Sequence, residues 1–314
     1  MTDPGWTVGA EDAGVRLDKF LAHPGRAGSR GRAAAAIDRG KVYVNGSVAE
    51  DPATRLRATD TVRLWIDKPG SAKRPVRPGP RGDLDIVYED DVLLVVNKPA
   101  GLLTVPLERK RDVPSVFDQI EDYLRPAGRR RPFVVHRIDQ DTSGLVVFAK
   151  EAAAQGRLKA QFKRREPERV YWALVYGQPD PPAGTWRDRL VWDTTALIQK
   201  ETHPRDPQGT DAICAYRTLE AFADASLLEV SLGTGRRNQI RIQARLRGHV
   251  LVGEQRYTFG PGSLRAIPFG RHALHARRLA FRHPGDERLL AFEAALPADL
   301  ADLIARLRGR KTGL

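Results

Sequence analysis

Two apolar runs, Phe133-Val134-Val135 and Leu145-Val146-Val147-Phe148, flank the polar stretch His136-Arg137-Ile138-Asp139-Gln140-Asp141-Thr142-Ser143-Gly144. Short β-branched runs that are bounded by turn residues are typical of strands. The pattern therefore predicts a tight turn between two strands, with Asp139 inside the turn. A rigid strand end is a position where a reacting side chain can be held in a fixed geometry.

The same kind of pattern recurs along the chain. Strands are predicted on both sides of the Asp90-Asp91 turn and at 169–177, 225–231, 274–281 and 289–292, whereas helices are predicted at 151–165, 239–247 and 297–307. Strands predominate and do not alternate regularly with helices. This organisation predicts an α+β fold with a mixed, largely antiparallel central sheet and argues against a doubly wound fold.

A segment rich in proline, glycine and basic residues spans residues 67–82. It contains almost no apolar side chains, so it cannot contribute to a core and is typical of a semi-stiff linker. We therefore predict a small domain at residues 13–66, a linker at 67–82 and a large domain at 83–314.

Two short helices and a hairpin are predicted in the small domain. Residues 15–21 have apolar side chains at helical spacing, and Ser29 is a suitable N-cap for an alanine-rich helix at 32–37. The segment 41–46, Lys-Val-Tyr-Val-Asn-Gly, alternates between apolar and polar side chains and ends in Asn-Gly, which is a typical hairpin turn. A last strand is predicted at 61–66.

The chain is strongly basic, with a formal net charge of +13 at pH 7 and a sequence pI of about 10.1. Hydrophobic residues make up 41%, which is enough to build a core and excludes general disorder. The arginines are not spread evenly, since they cluster at places such as 129–131. The charge therefore favours a nucleic-acid partner over a surface that serves solubility alone.

Cys214 is the only cysteine, so the chain cannot form an internal disulfide or a cysteine-based zinc site. The N-terminal residues lack the basic start and the apolar run of a signal peptide. No uninterrupted apolar stretch approaches the length that spans a membrane. These features predict a cytoplasmic protein without a membrane partner.

Three motifs resemble those of the RluA-type RNA pseudouridine synthases. The stretch around Asp139 matches His-Arg-Leu-Asp-x-x-Thr-Ser-Gly except at Ile138, and Tyr171 begins a match to Tyr-x-Ala-Leu-Val-x-Gly. Residues 233–241, Gly-Thr-Gly-Arg-Arg-Asn-Gln-Ile-Arg, are similar to Thr-Gly-Arg-x-His-Gln-Ile-Arg. Residues 97–101, Asn-Lys-Pro-Ala-Gly, are a further feature of these enzymes. The small domain resembles an S4-type RNA-binding domain in the order of its helices, hairpin and basic residues.

The resemblance implies roles for individual residues. The catalytic aspartate of the family falls on Asp139, its active-site tyrosine on Tyr171, and the arginine that pairs with the aspartate on Arg241, with Arg137 in support. The other basic candidates are predicted to contact RNA, namely Arg16, Arg30, Arg32 and Lys41 in the S4-like domain, and Lys98, Arg129, Arg130, Arg131 and Arg236 in the large domain.

Isomerising uridine breaks the N1–C1′ bond, turns the uracil and rejoins it through C5. This reaction involves no redox change, so we expect neither a cofactor nor a metal ion. A carboxylate can act in it as nucleophile or as base, and both roles are open for Asp139; a bidentate arginine would orient this carboxylate. The target base has to leave its stack, and Tyr171 can stack on the flipped uracil.

Other interpretations of the motifs are weaker. His-Arg-x-Asp also occurs in kinase catalytic loops, but no Gly-rich phosphate loop and no Asp-Phe-Gly accompany it. Asp139 and Asp141 are two residues apart in one turn and would not straddle a sugar as a glycosidase pair does. His272 and His275 have the spacing of a metal site without nearby carboxylate or cysteine ligands, so we interpret them as structural.

Several positions differ from the family pattern. Asn238 and Gln243 stand where the family commonly has histidine, Val250 replaces a proline, and Glu254 replaces an aspartate. Arg169 stands near a position where lysine is frequent. Because these positions flank the expected pocket, we expect them to bear on the choice of substrate more than on the chemistry.

The sequence thus predicts an isomerase, a monomeric RNA pseudouridine synthase. Its resemblance to S4-bearing members of the family implies a uridine of large-subunit ribosomal RNA as the target. Transfer RNA is the second candidate substrate. A non-catalytic RNA-binding or ribosome-assembly protein that keeps the same fold is the alternative function.

Overall fold

A computed structural model of the protein describes residues 5–38, 41–49, 51–64, 84–107, 113–125, 131–258 and 266–309. The chain divides into two compact units, Met1–Pro80 and Arg81–Leu314. The predicted linker at 67–82 lies outside the described residues, as do Arg129, Arg130 and the last two residues of the strand predicted at 61–66. The linker and the exact domain limits therefore stay predictions.

The first unit combines short helices with a small antiparallel sheet. Its elements are β1 (Gly5–Thr7), a 3-10 helix (Ala10–Asp12), α1 (Leu17–Leu21), α2 (Arg30–Asp38), β2 (Val42–Val44), β3 (Ser47–Val48) and β4 (Thr61–Leu64). The strand order is β1-β4-β2-β3. The predicted hairpin is confirmed, because Asn45 and Gly46 have φ values of 51° and 81°, as a two-residue hairpin turn requires. Ser29 accepts the N–H of Arg32 at 3.2 Å and caps α2 as predicted.

The second unit is built on one large sheet. Its strands are β5 (Ile86–Glu89), β6 (Leu93–Lys98), β7 (Phe133–Val134), β8 (Ser143–Ala149), β9 (Glu168–Tyr176), β10 (Ala183–Asp193), β11 (Ile198–Glu201), β12 (Thr210–Ala221), β13 (Ala225–Leu232), β14 (Leu274–Arg282) and β15 (Leu289–Glu293). Its helices are α3 (Val116–Leu124), α4 (Ala152–Arg164), α5 (Gln239–Leu246) and α6 (Ala298–Gly309). Across the described ranges, no helix is both long and apolar enough to cross a bilayer.

In the described part of this unit, the strand order is β11-β10-β12-β13-β9-β14-β8-β6-β5, with β7 beside β8 and β15 beside β14. All of these pairs are antiparallel except β8 with β14. The predicted α+β class with a mixed, largely antiparallel sheet is confirmed. The elements β10, β11, β12 and α3 were not predicted from the sequence. On β12 the inward side chains are Ala212, Cys214 and Tyr216, so the apolar alternation is weak in the sequence.

Three neighbouring strands bring the polar stretch close to Tyr171. On β14, Ala276 is paired with Gly144 of β8 and with Tyr171 of β9, so the loop before β8 and the middle of β9 are two strands apart. Gly144 has a φ of +112°, and a Cβ at this position would lie 2.3 Å from the carbonyl oxygen of Ala276. The close approach of β8 to β14 at this point therefore requires glycine at the end of the motif.

Candidate active site

Asp139, Tyr171 and Arg241 line one pocket with a volume of about 520 Å³. Small-molecule sites typically have volumes of about 300–1,000 Å³. The three side chains come from different elements, namely the loop before β8, the middle of β9 and the first turn of α5. The structure thus brings together the three residues that the motifs single out.

One oxygen of Asp139 is held, and the other is open. Oδ2 accepts a hydrogen bond from Asn238 Nδ2 at 2.6 Å and another from Arg241 Nη1 at 3.1 Å. Among the described residues, no donor reaches Oδ1, and the side chain keeps 21% exposure. The carboxylate therefore has a fixed orientation and one oxygen that is available to a ligand in the pocket.

Arg241 bridges two carboxylates. Its Nε and Nη2 donate to the two oxygens of Glu254, both at 2.7 Å, while Nη1 donates to Asp139. The prediction of a bidentate pair between Arg241 and Asp139 is therefore wrong. Glu254 takes the bidentate contact, and Asp139 receives a single N–H.

Both members of the Arg241–Glu254 pair are ionised at neutral pH. Burial acts to raise the pKa of Glu254, but the hydrogen bond and the charge of Arg241 lower this pKa to about 2. Burial acts to lower the pKa of Arg241, but Glu254 and Asp139 raise it above its usual value. Because the side chain of Glu254 is fully buried, this pair fixes the guanidinium beside Asp139.

Tyr171 contributes a neutral ring to the wall of the pocket. Its residue is 8% exposed. Burial raises the pKa of its phenol to about 12, while Arg169 acts to lower this pKa and Asp139 acts to raise it further. The phenol therefore keeps its proton at physiological pH, and its ring is available for stacking.

The loop that carries Asp139 is tied down on both sides. Thr104 Oγ1 donates to the carbonyl of Ile138 at 2.7 Å and accepts the N–H of Ile138 at 3.3 Å. Lys98 Nζ donates to three backbone carbonyls, those of Pro99, Leu102 and Gln140, at 2.9, 2.7 and 2.6 Å. The residues directly before and after Asp139 are thus fixed by the segment 98–104.

The prediction that Lys98 contacts RNA is wrong. Lys98 is 1% exposed, and its ammonium group is engaged by the three carbonyls, so no phosphate can reach it from the pocket or from the surface. Burial lowers the pKa of Lys98 to about 7, and the nearby carboxylates of Asp141 and Asp139 oppose this change. Lys98 supports the loop that carries Asp139.

His272 and His275 hold the next two residues of the motif. His272 Nε2 is 2.8 Å from Thr142 Oγ1, and His275 Nδ1 is 2.9 Å from Ser143 Oγ. Burial lowers the pKa of each imidazole to about 4, so both are neutral at physiological pH. These bonds give the two histidines a structural role. A cluster of three or more metal-ligating side chains is absent from the part of the chain that the structure describes.

Comparison with known proteins gives the same result as the geometry. A model of the RNA pseudouridylate synthase family matches residues 92–246, and an S4 domain model matches residues 15–62. A protein of Zymomonas mobilis named ribosomal large subunit pseudouridine synthase D is 35% identical over 311 residues, which cover 96% of this chain and 96% of that protein. The chain belongs to the RNA pseudouridine synthase family. The predicted RluA-type family, the isomerase class and the N-terminal S4-type domain are thereby confirmed.

Two further comparisons agree with this assignment of the synthase. An uncharacterised RNA pseudouridine synthase of Synechocystis sp. is 36% identical over 300 residues, or 95% of this chain and 90% of that protein. The solved structure of human RNA pseudouridylate synthase domain containing 4 has a TM-score of 0.59 at 21% identity and covers 71% of this chain and 93% of that chain. The second likeness concerns the fold alone.

The synthase places its other predicted RNA contacts in several settings. Arg137 and Arg236 line the pocket, and Arg236 Nε also donates to the carbonyl of Asp211 at 2.9 Å. Arg131 is exposed, forms an ion pair with Glu121 at 3.3 Å and lies over the ring of Phe117. Arg129 and Arg130 lie outside the described residues.

In the S4-type unit of the synthase, two of the predicted contacts share one buried carboxylate. Arg16 and Arg30 each donate to Asp18, with Nη2 to Oδ2 distances of 3.1 and 2.8 Å, and these hydrogen bonds lower the pKa of Asp18. Both guanidiniums keep free N–H groups; Arg30 is exposed and Arg16 is half-buried. Arg32 is exposed and Lys41 is half-buried. Roles in RNA binding stay predictions for all four residues.

Sequence reasoning missed what Asn238 and Glu254 do in the synthase. We expected both to affect the choice of substrate more than the chemistry, and this stays a prediction, but the structure adds contacts that the motifs do not predict: Asn238 binds Asp139 and Glu254 binds Arg241. Asn238 has a φ of 53° and a ψ of 24° at the N-terminal end of α5. Asparagine tolerates this left-handed conformation, and Tyr257 donates to its Oδ1 at 3.3 Å. The departure from histidine at this position was the available signal.

Proposed function

We propose that the protein converts a uridine of large-subunit ribosomal RNA to pseudouridine, with Asp139 as the catalytic residue. One observation carries the proposal: Asp139 presents a single open oxygen in a pocket walled by Tyr171, while Arg241 and Asn238 hold the other oxygen. The choice of ribosomal RNA is supported by the name of the Zymomonas mobilis relative, which matches nearly the whole chain, and by the S4 domain match.

The chemistry follows from the bonds that change. The N1–C1′ bond breaks, the uracil turns within the pocket, and C5 forms the new bond to C1′. C5 loses its proton and N1 gains one, so the atoms balance without an external group. Asp139 Oδ1 can attack C1′ or remove a proton from the sugar, and either role requires an ionised carboxylate.

The residues around Asp139 are arranged before substrate binds. Arg241 is locked by its bidentate pair with Glu254, and the loop of Asp139 is fixed by Lys98 and Thr104. Charges and dipoles that are already oriented need no rearrangement during the reaction, which is the main electrostatic contribution of many enzymes. The same arrangement is not needed by a protein that only binds RNA. It therefore favours the enzyme over the non-catalytic alternative.

The flipped uracil has a suitable surface in the pocket. The neutral ring of Tyr171 can stack on it, and base–aromatic stacking contributes about 1–3 kcal/mol per base. Arg137 and Arg236 lie in the same pocket lining and can contact the RNA backbone. The monomeric state and the cytoplasmic location stay predictions, and transfer RNA is the second candidate substrate.

The test uses ribosomal RNA from cells that lack the gene. We expect the wild-type protein to form pseudouridine at a defined uridine of the large-subunit RNA in chemical mapping, and Asp139→Asn to form none while it binds the same RNA with similar affinity. Modification of transfer RNA instead of ribosomal RNA would show that the proposed substrate is wrong. Tight binding without pseudouridine in either RNA would favour the non-catalytic function.

A further inference from the structure

Arg169, two residues before Tyr171 on β9, is a buried cation that has no carboxylate partner among the described residues. It is 9% exposed and lines the same pocket as Asp139. In the part of the chain that the structure describes, its buried Nε has no hydrogen-bond partner, and Nη2 makes a single long contact of 3.4 Å to the carbonyl of Leu232. Within the described ranges, no carboxylate pairs with its guanidinium.

An isolated buried charge is costly, so proteins normally pair it or place it where a ligand pairs it. Arg241 pairs with Asp139 in the pocket and with the buried Glu254 behind it, whereas Arg169 takes no part in this network. Burial lowers the pKa of Arg169, in keeping with the missing partner. The guanidinium is therefore positioned to receive an anionic group from the substrate.

The surroundings leave room for this guanidinium and add positive charge. The ring of Phe162 lies 5.6 Å from its Cζ, and a Cβ on Gly235 would be only 2.5 Å from its Nη1. Gly235 thus keeps open the space that Arg169 occupies. Three other basic residues also line the pocket and lie close to Phe162 or Gly235 in the sequence, namely Lys163, Arg165 and Arg236. These three residues also lack an ion pair with any described carboxylate.

We propose that Arg169 anchors a phosphodiester-binding subsite, which takes a backbone phosphate adjacent to the flipped uridine. The inference rests on the proposed function and names the part of the RNA that this end of the pocket binds. The planar guanidinium fork matches the oxygens of a phosphate in a bidentate geometry. Asp139 reacts with the sugar of the flipped uridine, so a phosphate attached to that sugar is the anion that can reach Arg169.

The test combines a change in the protein with a change in the RNA. Short RNAs that contain the mapped uridine are made with a neutral methylphosphonate in place of the phosphodiester on its 5′ or its 3′ side. For wild-type protein, we expect one of the two replacements to raise the RNA concentration for half-maximal rate about tenfold, as loss of a charge-assisted hydrogen bond predicts. Arg169→Gln should show a similar rise with normal RNA and no further rise with that methylphosphonate.

Two more variants separate this subsite from a structural role. Gly235→Ala keeps the charge of Arg169 but displaces its guanidinium, and we expect a weaker response to the same methylphosphonate. Arg164→Gln removes an exposed arginine of α4 that pairs with Glu166, and we expect wild-type behaviour. If the effect of Arg169→Gln adds to the effect of the methylphosphonate at both the 5′ and the 3′ position, Arg169 contacts neither phosphate. Arg169 then has a structural role, and the inference is wrong.

A binding measurement distinguishes failure of this inference from failure of the proposed function. Fluorescence anisotropy with the same RNAs reports the dissociation constant whether or not pseudouridine forms. If the methylphosphonate weakens RNA binding by the wild-type protein but not by Arg169→Gln, the subsite is supported even when no pseudouridine forms. If Arg169→Gln does not fold, Arg169→Lys replaces it. The proposal is overturned if the methylphosphonate then raises the dissociation constant of Arg169→Lys and of Gly235→Ala by the same factor as that of the wild-type protein.

Discussion

Asn238 provides the sharpest test of how the carboxylate of Asp139 is held. Its amide donates to Asp139 Oδ2 at 2.6 Å from a left-handed backbone conformation, with a φ of 53°. Alanine would add backbone strain at this position, whereas glycine adopts the conformation without a penalty. The substitution Asn238→Gly therefore removes the amide with little change to the start of α5.

The size of the effect follows from the number of donors on Oδ2. A hydrogen bond to a charged group contributes about 1.5–3 kcal/mol. Since 1.36 kcal/mol corresponds to a factor of ten in rate, complete loss of this contribution lowers the rate constant about 10- to 150-fold. Arg241 still donates to the same oxygen in the variant. We therefore expect Asn238→Gly to fall at the lower end of this range.

The assay uses RNA with tritium at C5 of uridine under single-turnover conditions, because each isomerisation releases that hydrogen to water. Asn45→Gly is the matched control. Asn45 is also an asparagine with positive φ, and its Nδ2 donates to Asp60 at 2.9 Å on the surface of the other unit. We expect Asn45→Gly to keep the wild-type rate constant at saturating RNA.

A rate constant of Asn238→Gly within twofold of wild type, at an unchanged melting temperature, would refute the role of the amide. Asn238→His gives a second check, since histidine also tolerates the left-handed conformation and carries a ring N–H donor. If the hydrogen bond matters, Asn238→His keeps more activity than Asn238→Gly. Equal loss in both variants would point to backbone geometry instead.

Two further predictions concern stability. Lys98→Met leaves three backbone carbonyls without their donor, and we expect a loss of about 3 kcal/mol in the free energy of unfolding, measured with denaturant, together with slower tritium release because the loop of Asp139 loosens. Burial lowers the pKa of His272 and of His275 to about 4, so the unfolded chain takes up protons first as the pH falls below about 6.5. The fold should therefore lose on the order of 3 kcal/mol for each histidine between pH 6.5 and pH 4, and melting temperatures that stay constant over this interval would contradict the prediction.

Asp139, Tyr171 and Arg241 could be located from the sequence because each lies in a contiguous motif with a regular element beside it. The apolar runs on either side of the Asp139 motif and around Tyr171 form β7, β8 and β9 as predicted. The Asn-Gly turn of the small hairpin has the same local character. At these positions the information is local, and pattern and structure agree.

The supporting contacts of the site depend on distant parts of the chain. Asn238 reaches Asp139 across 99 residues of sequence, and Lys98 reaches the carbonyl of Gln140 across 42. A lysine before Pro-Ala-Gly gives no sign in the sequence that its side chain is buried and donates to three carbonyls. Glu254 follows α5 in a loop, so its bidentate contact with Arg241 becomes visible only in three dimensions.

The pocket carries two opposite charges that do not pair with each other, one on Asp139 and one on Arg169. Arg241 lies between Asp139 and Glu254, so this group of three keeps one net negative charge, and the open oxygen of Asp139 carries part of it. Arg169 keeps an uncompensated positive charge in the same pocket, and the phenol of Tyr171 responds to both charges. A direct ion pair would neutralise the two groups and block the cavity. A nucleotide carries both an electron-poor carbon, C1′ of its ribose, and an anionic phosphate. It can therefore interact with both charges at once, whereas a free base or a free phosphate can interact with only one of them.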